Sequence, residues 1–128
     1  MPRATVTAPD APEAIGPYVH AVRASGELLF VSGQIPLDPN TGELVGETPA
    51  EQARQALTNL AAVIKAAGAS LSDAVKVTLY TTDLSQFAAI NEVYAQYFKD
   101  SARAALGVAA LPKGALVEVE AVVVLPEH

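Results

Sequence analysis

The chain has 128 residues and no cysteine, which suits one domain of ordinary size but offers no disulfide framework and no thiol nucleophile. Eight basic residues against fourteen acidic ones give a net charge of −6, so a phosphate backbone would be repelled and nucleic acid is disfavoured as a partner. We predict a single, soluble, cytoplasmic domain over residues 1–128, because neither a signal-peptide pattern nor an apolar stretch of membrane-spanning length occurs.

The first part of the chain has the pattern of short strands between loops. Prolines break up residues 1–17, within which residues 4–7 are predicted as a short edge strand. Two strand-like runs follow at 19–24 and 28–32, and the Ser-Gly-Glu between them predicts an antiparallel hairpin. Residues 38–42, Asp-Pro-Asn-Thr-Gly, then predict a turn.

The clearest boundary in the sequence is the start of a helix at Thr48. Thr48 is a capping residue, Pro49 suits the first turn, and Glu51 completes a capping box. Apolar residues recur at helical spacing from 53 to 67, and Gly68 ends the helix. Residues 74–82 alternate between apolar and polar side chains, which predicts a half-buried strand.

A second helix is predicted to begin at Asp83, with an apolar stripe from Phe87 to Phe98 that includes Asn91. Two closing strands, 104–111 and 116–125, are joined by a turn at 112–115. The order β-β-β-α-β-α-β-β predicts an α+β fold with both helices on one face of a mixed sheet. Aliphatic residues of the last two strands would leave the other face apolar, which favours oligomerisation.

Several standard sites are excluded by their missing residues. The sequence contains no glycine-rich phosphate loop and no Ser-His-acid arrangement in a recognisable context. His20 and His128 lie far apart, and the acids of residues 38–47 lack the ligand spacing of a calcium loop. We therefore expect no bound metal.

Two charged residues occur where the local pattern is apolar. Glu120 shares a strand face with Glu118, Val122 and Val124, where a partly desolvated carboxylate would suit proton transfer. The alternative is an edge-strand glutamate that faces solvent. Arg103 precedes an apolar strand, and its planar fork could hold a carboxylate through two parallel hydrogen bonds; otherwise it is a surface charge.

Further candidates are polar or flexible residues, each with a structural alternative. Asn91 could present its amide to a site or satisfy a buried carbonyl. Ser32 and Gly33 could expose a hydroxyl and a free backbone N–H, or could mark a turn. Tyr18, after Gly16 and Pro17, could cover a site or serve as a packing ring.

Taken together, five stretches of the chain resemble the reactive intermediate deaminase family, called Rid or YjgF. They occur in the expected order and span nearly the whole sequence. The stretches are Ala14-Ile15-Gly16-Pro17-Tyr18, Val31-Ser32-Gly33-Gln34-Ile35-Pro36, residues 52–68, Ile90-Asn91-Glu92-Val93-Tyr94, and residues 108–121.

The resemblance implies a chorismate-mutase-like α+β fold assembled as a homotrimer, with the sheets forming an inner barrel and active sites in clefts between subunits. It implies hydrolysis of 2-imino or 2-enamino acids, such as 2-iminobutanoate and 2-iminopropanoate, to 2-oxo acids and ammonia without a cofactor. Arg103 matches the arginine that holds the substrate carboxylate, and Glu120 matches the acid that positions the attacking water. The positions that match other site-lining residues are Tyr18, Ser32, Gly33, Asn91 and Ala105, with Gly33 and Ala105 acting through backbone atoms.

The chain departs from the family pattern just before Arg103. Only residues 99–102 separate Phe98 from Arg103, whereas family members usually have a longer loop with a proline pair, so Arg103 could be displaced. One alternative function is therefore a trimer that binds small carboxylates without turnover. Ribonuclease activity or translation inhibition is disfavoured by the net charge of −6, and the sequence offers no feature for or against a chaperone role.

Overall fold

A computed structural model of the chain describes residues 3–126, so His128, considered above, lies outside the described residues. The elements follow the predicted order β-β-β-α-β-α-β-β, and the α+β class is confirmed. Their bounds are β1 Arg3–Val6, β2 Ala21–Ala24, β3 Leu28–Gln34, α1 Pro49–Ala66, β4 Ala74–Thr81, α2 Phe87–Tyr94, β5 Ala102–Gly107 and β6 Val117–Val124. Among the described residues, no helix has the length and hydropathy needed to cross a bilayer.

Four strands form a mixed sheet in the order β3-β6-β4-β5. β4 and β5 run parallel, while β6 is antiparallel to both β3 and β4. A parallel pair needs a crossover, and α2 lies in the connection between β4 and β5. β4 lies between β5 and β6, so these two strands are not neighbours, although the turn predicted at 112–115 connects them in sequence.

The predicted hairpin between residues 19–24 and 28–32 is wrong, because β2 pairs with β1 in a separate two-stranded sheet. The connection from β2 to β3 contains Gly26 at a φ of 127°, a conformation that favours glycine. Arg3 on β1 attaches this two-stranded sheet to the end of the four-stranded sheet. Its Nη2 donates to the carbonyl of Ala74 at 3.0 Å and forms an ion pair with Asp100 at 3.2 Å.

The start of α1 agrees with the sequence prediction. Thr48 Oγ1 accepts from the N–H of Glu51 at 3.2 Å, and Glu51 Oε1 accepts from the N–H groups of Glu47 and Thr48, each at 3.0 Å. These backbone donors, that of Glu47 first, lower the pKa of the Glu51 carboxyl. The capping box satisfies N–H groups that the first turn leaves without partners.

The second helix is shorter than its apolar stripe predicts. Asp83 caps a 3₁₀ turn by accepting from the N–H of Ser85 at 3.0 Å, and α2 itself begins at Phe87 and ends at Tyr94. Phe98 lies beyond the helix but is still buried, with its ring centroid 5.5 Å from that of Tyr94. The stripe therefore marks burial correctly but overstates the helix length.

The core lies between the sheet and α1, which packs on β3, β6 and α2. Alternating residues of β4 and β6 face it fully buried, among them Val77, Leu79, Val119 and Val123. The residues between them on these two strands lie on the opposite face of the sheet, which we call the open face. The side chains of Phe30 and Leu106 are 72% and 42% exposed. Their partners in the register, Val122 and Tyr80, place both on this face.

Candidate active site

Arg103 lies on the edge strand β5, opposite Val77, so its side chain is on the helix face of the sheet. The guanidinium carbon is 4.8 Å from the ring centroid of Tyr18, 4.9 Å from that of Tyr94 and 5.3 Å from that of Phe87. Its Nη1 donates a hydrogen bond to Oδ1 of Asn91 on α2. We call this group of five residues the arginine cluster.

The cation of the arginine cluster is partly removed from water. Burial lowers the pKa of Arg103, an effect that the nearby Tyr94 and Tyr18 partly offset. Within residues 3–126 the one ion pair joins Arg3 to Asp100, so no carboxylate of these residues compensates Arg103. A half-buried cation that lacks a counter-ion favours binding of an anion.

The loop before β2 folds over Arg103 and brings Tyr18 to it. A Cβ built on Gly16 would lie 3.3 Å from the Tyr18 ring and 3.4 Å from Nη2 of Arg103, so glycine permits this close approach. His20 holds the preceding segment, since its Nδ1 accepts from the N–H of Ala8 at 2.9 Å. The segment lines a cavity of about 250 Å³ that reaches Tyr18 and His20.

Although the segment 99–102 is short, Arg103 contacts both Asn91 and Tyr18. Ser101 is buried, and its hydroxyl donates to the carbonyl of Ala74 at 2.9 Å. Its own carbonyl accepts from the N–H of Val19 at 3.2 Å. The segment is thus tied both to the start of β4 and to the loop that carries Tyr18.

Glu120 belongs to a second group, on the open face of the sheet. It lies on β6 opposite Thr78, and the hydroxyl of Tyr80 donates to its Oε1. This hydrogen bond, more than burial, raises the pKa of Tyr80. Glu118, the next residue of β6 on this face, lies directly opposite Tyr80. We call Tyr80, Glu118 and Glu120 the acidic cluster.

Ser32 and Gly33 lie beside the acidic cluster on β3, where the pairing with β6 is irregular between Val31 and Gln34. Both residues are exposed. A side chain on Gly33 would collide with the carboxylate of Glu118, so the close packing of Glu118 requires glycine here.

Arg103 and Glu120 lie on opposite faces of the sheet within one chain. Their partners on β4 are Val77 and Thr78, which are consecutive residues, and consecutive side chains of a strand point to opposite faces. Tyr18 and Asn91 lie with Arg103, and the exposed Ala105 shares its strand face. The predicted site residues therefore fall into two separate groups in one chain.

Sequence reasoning missed three residues of these clusters. Phe87 and Tyr94 belong to the apolar stripe predicted for the second helix, and nothing in that pattern distinguishes them as contacts of Arg103. Tyr80 falls on the polar side of β4, and its partner becomes evident only from the register of β4 with β6. No group of three or more metal-ligating side chains occurs in the part of the chain that the structure describes.

Known proteins share both the sequence and the fold. The family model described as Endoribonuclease L-PSP matches residues 8–125. The human 2-iminobutanoate/2-iminopropanoate deaminase is 46% identical over 124 residues, which cover 95% of this chain and 90% of that protein.

Two solved structures give the same result. RidA from the Antarctic bacterium Psychrobacter sp. PAMC 21119 has a TM-score of 0.74 at 43% identity, covering 95% of this chain and 99% of its own. TdcF from E. coli, solved with bound serine, has a TM-score of 0.74 at 41% identity, covering 96% and 99%. The chain therefore belongs to the Rid family, also named YjgF or L-PSP, and has its chorismate-mutase-like α+β fold.

Proposed function

We propose that this protein is a deaminase that hydrolyses 2-imino and 2-enamino acids, including 2-iminobutanoate and 2-iminopropanoate, to 2-oxo acids and ammonia without a cofactor. The observation that carries the proposal is the arginine cluster, in which Arg103 is partly desolvated and has no counter-carboxylate within residues 3–126. A relative named for this activity is 46% identical over nearly the whole chain.

Arg103 holds the substrate carboxylate in this proposal. The hydrogen bond from Nη1 to Asn91 fixes the plane of the guanidinium. The other N–H donors of Arg103 remain for two parallel hydrogen bonds to an anion. The bound serine of TdcF carries the same α-carboxylate as a 2-imino acid. Tyr18, with its ring against the guanidinium, and the backbone of Ala105 would border the bound acid.

Glu120 would come from a second copy of the chain. Because Arg103 and Glu120 lie on opposite faces of one sheet, a substrate of a few atoms cannot reach both in one chain. The exposed Phe30 and Leu106 on the open face favour association through that face. We therefore propose the homotrimer that the resemblance implies, with Ser32, Gly33 and Glu120 of one chain completing the site of its neighbour.

The chemistry needs orientation and one group that handles protons. A protonated imine is already electrophilic, so Glu120 positions a water and takes one of its protons as the oxygen attacks the C=N carbon. The resulting carbinolamine receives that proton on nitrogen. As the C–N bond breaks and ammonia leaves, the hydroxyl gives its own proton back to Glu120, and the C=O bond of the 2-oxo acid forms. An enamine must first gain a proton on carbon, which Glu120 or its water supplies.

A coupled assay tests the proposal. An amino acid oxidase generates the imine in situ, and the imine that remains is trapped with semicarbazide. We expect the wild-type protein to clear the imine, and Arg103→Ala to abolish clearance while the oligomer stays intact by size-exclusion chromatography. Arg54→Ala is the matched control, because Arg54 is exposed on α1 and donates to Gln96 at 2.9 Å, away from both clusters. Equal rates for Arg103→Ala and wild type would overturn the assignment.

The same preparations separate the alternatives. Binding of a carboxylate analogue in a crystal soak without imine clearance would indicate a trimer that only binds carboxylates. Tight RNA binding at moderate salt would revive the alternative of ribonuclease activity or translation inhibition, which the net charge of −6 disfavours. We also propose a cytoplasmic location, which fluorescence microscopy of a tagged chain tests.

A further inference from the structure

Tyr80 and Glu120 form a hydrogen-bonded pair on the open face of the sheet. Tyr80 lies on β4 and Glu120 on the neighbouring strand β6, two residues along from the partner directly opposite Tyr80. Diagonal neighbours of this kind are within reach of a tyrosine side chain. Its hydroxyl donates to Oε1 of Glu120, and among the described residues no other side chain or backbone group bonds to that carboxylate.

This arrangement leaves one carboxylate oxygen of Glu120 free. A carboxylate held at one oxygen can no longer rotate freely about its terminal bond, so the second oxygen keeps one direction in space. The nearby Glu118 adds negative charge, and a tyrosine can donate there without forming an ion pair that would tie up both oxygens of the carboxylate. A tyrosine hydroxyl is protonated at neutral pH, and the pKa of Tyr80 is raised further above its ordinary value, so this hydroxyl is a donor to Glu120.

We propose that Tyr80 is a positioning residue, whose hydroxyl holds Oε1 of Glu120 so that Oε2 is aimed at the attacking water. The proposal rests on the proposed function, since it assigns a role within the same hydrolysis. Tyr80 does not touch the substrate and acts through Glu120. Its loss should therefore affect the chemical step and leave substrate binding by Arg103 unchanged.

The first test compares Tyr80→Phe with a matched control, Tyr97→Phe. Both changes remove one phenolic hydroxyl and keep the ring; that of Tyr97 is 2.9 Å from Oγ1 of Thr58, remote from the acidic cluster. We expect Tyr80→Phe to lower kcat about tenfold with KM unchanged, and Tyr97→Phe to alter neither. An unchanged kcat in Tyr80→Phe, or a rise in KM alone, would overturn the proposal.

A second measurement does not depend on activity. NMR titration of ring-labelled tyrosine, with the Tyr80 signal assigned by its absence from Tyr80→Phe, reports the pKa of that hydroxyl. Glu120→Gln should lower the pKa of Tyr80 substantially, and Glu118→Gln should lower it less. If the wild-type protein clears no imine, the proposed function fails, while this titration still decides whether Tyr80 holds Glu120. A larger fall in Glu118→Gln than in Glu120→Gln would refute the pairing.

Discussion

Replacing Arg103 with lysine tests whether the carboxylate is held by a two-point grip or by charge alone. The guanidinium uses Nη1 on Asn91 and faces the rings of Tyr18, Phe87 and Tyr94. Lysine keeps the positive charge but is a point donor without the planar fork. The lysine must also donate to Oδ1 of Asn91. It can therefore give the substrate carboxylate one well-directed hydrogen bond, whereas arginine gives two.

The lost interaction is a hydrogen bond between charged groups, which contributes about 1.5–3 kcal/mol. At 1.4 kcal/mol per factor of ten, kcat/KM should fall about 10- to 150-fold. The loss should appear mainly as a higher KM, because the carboxylate is held in the ground state and in the transition state alike. Steady-state kinetics with the oxidase-coupled assay measures it. A lysine variant whose KM stays within about twofold of wild type would refute the two-point grip.

Three further predictions concern stability and the acidic cluster. Because hydrogen bonds lower the pKa of Glu51 in the folded state, its contribution to stability is complete above its ordinary pKa and is lost as pH falls through the lowered value. The gap in urea midpoint between wild type and Glu51→Gln should thus be present at neutral pH and close in strong acid, and a gap independent of pH would contradict this. The hydroxyl of Tyr94 is buried without a hydrogen-bond partner in residues 3–126. Tyr94→Phe removes this hydroxyl and should raise the free energy of unfolding by about 1 kcal/mol. A lower melting temperature in Tyr94→Phe would contradict this prediction. Gly33→Ala should displace the flexible Glu118 carboxylate and lower kcat. The free energy of unfolding should change by less than about 1 kcal/mol. An unchanged kcat would contradict the assignment of Gly33 to the site.

The parts of the fold that local chemistry specifies were predictable from the sequence. Thr48, Pro49 and Glu51 lie within one helical turn, so their hydrogen bonds could be read from spacing alone, and α1 begins where they predict. Strand pairing is not local in this way. The Ser-Gly-Glu between β2 and β3 predicted a hairpin, but β2 pairs with β1, and β6 lies between β3 and β4.

The candidate site shows the same division. The resemblance assigned seven residues to one site, and the structure places three of them together, with Arg103 in contact with Asn91 and Tyr18. The pairing of Tyr80 with Glu120, and the separation of Glu120 from Arg103 by the sheet, depend on the register of β4 with β5 and β6. That register follows from long-range packing, which the local sequence pattern of a single strand does not reveal.

Mixed oligomers test the central claim, an active site built from Arg103 of one chain and Glu120 of another. Arg103→Ala and Glu120→Gln should each be inactive alone. After the two are unfolded and refolded together in equal amounts, random assembly places an intact arginine beside an intact glutamate of the next chain in about a quarter of the sites. We expect about a quarter of the wild-type kcat per chain, with mixing confirmed by native mass spectrometry. Mixed oligomers without activity would contradict a site shared between chains.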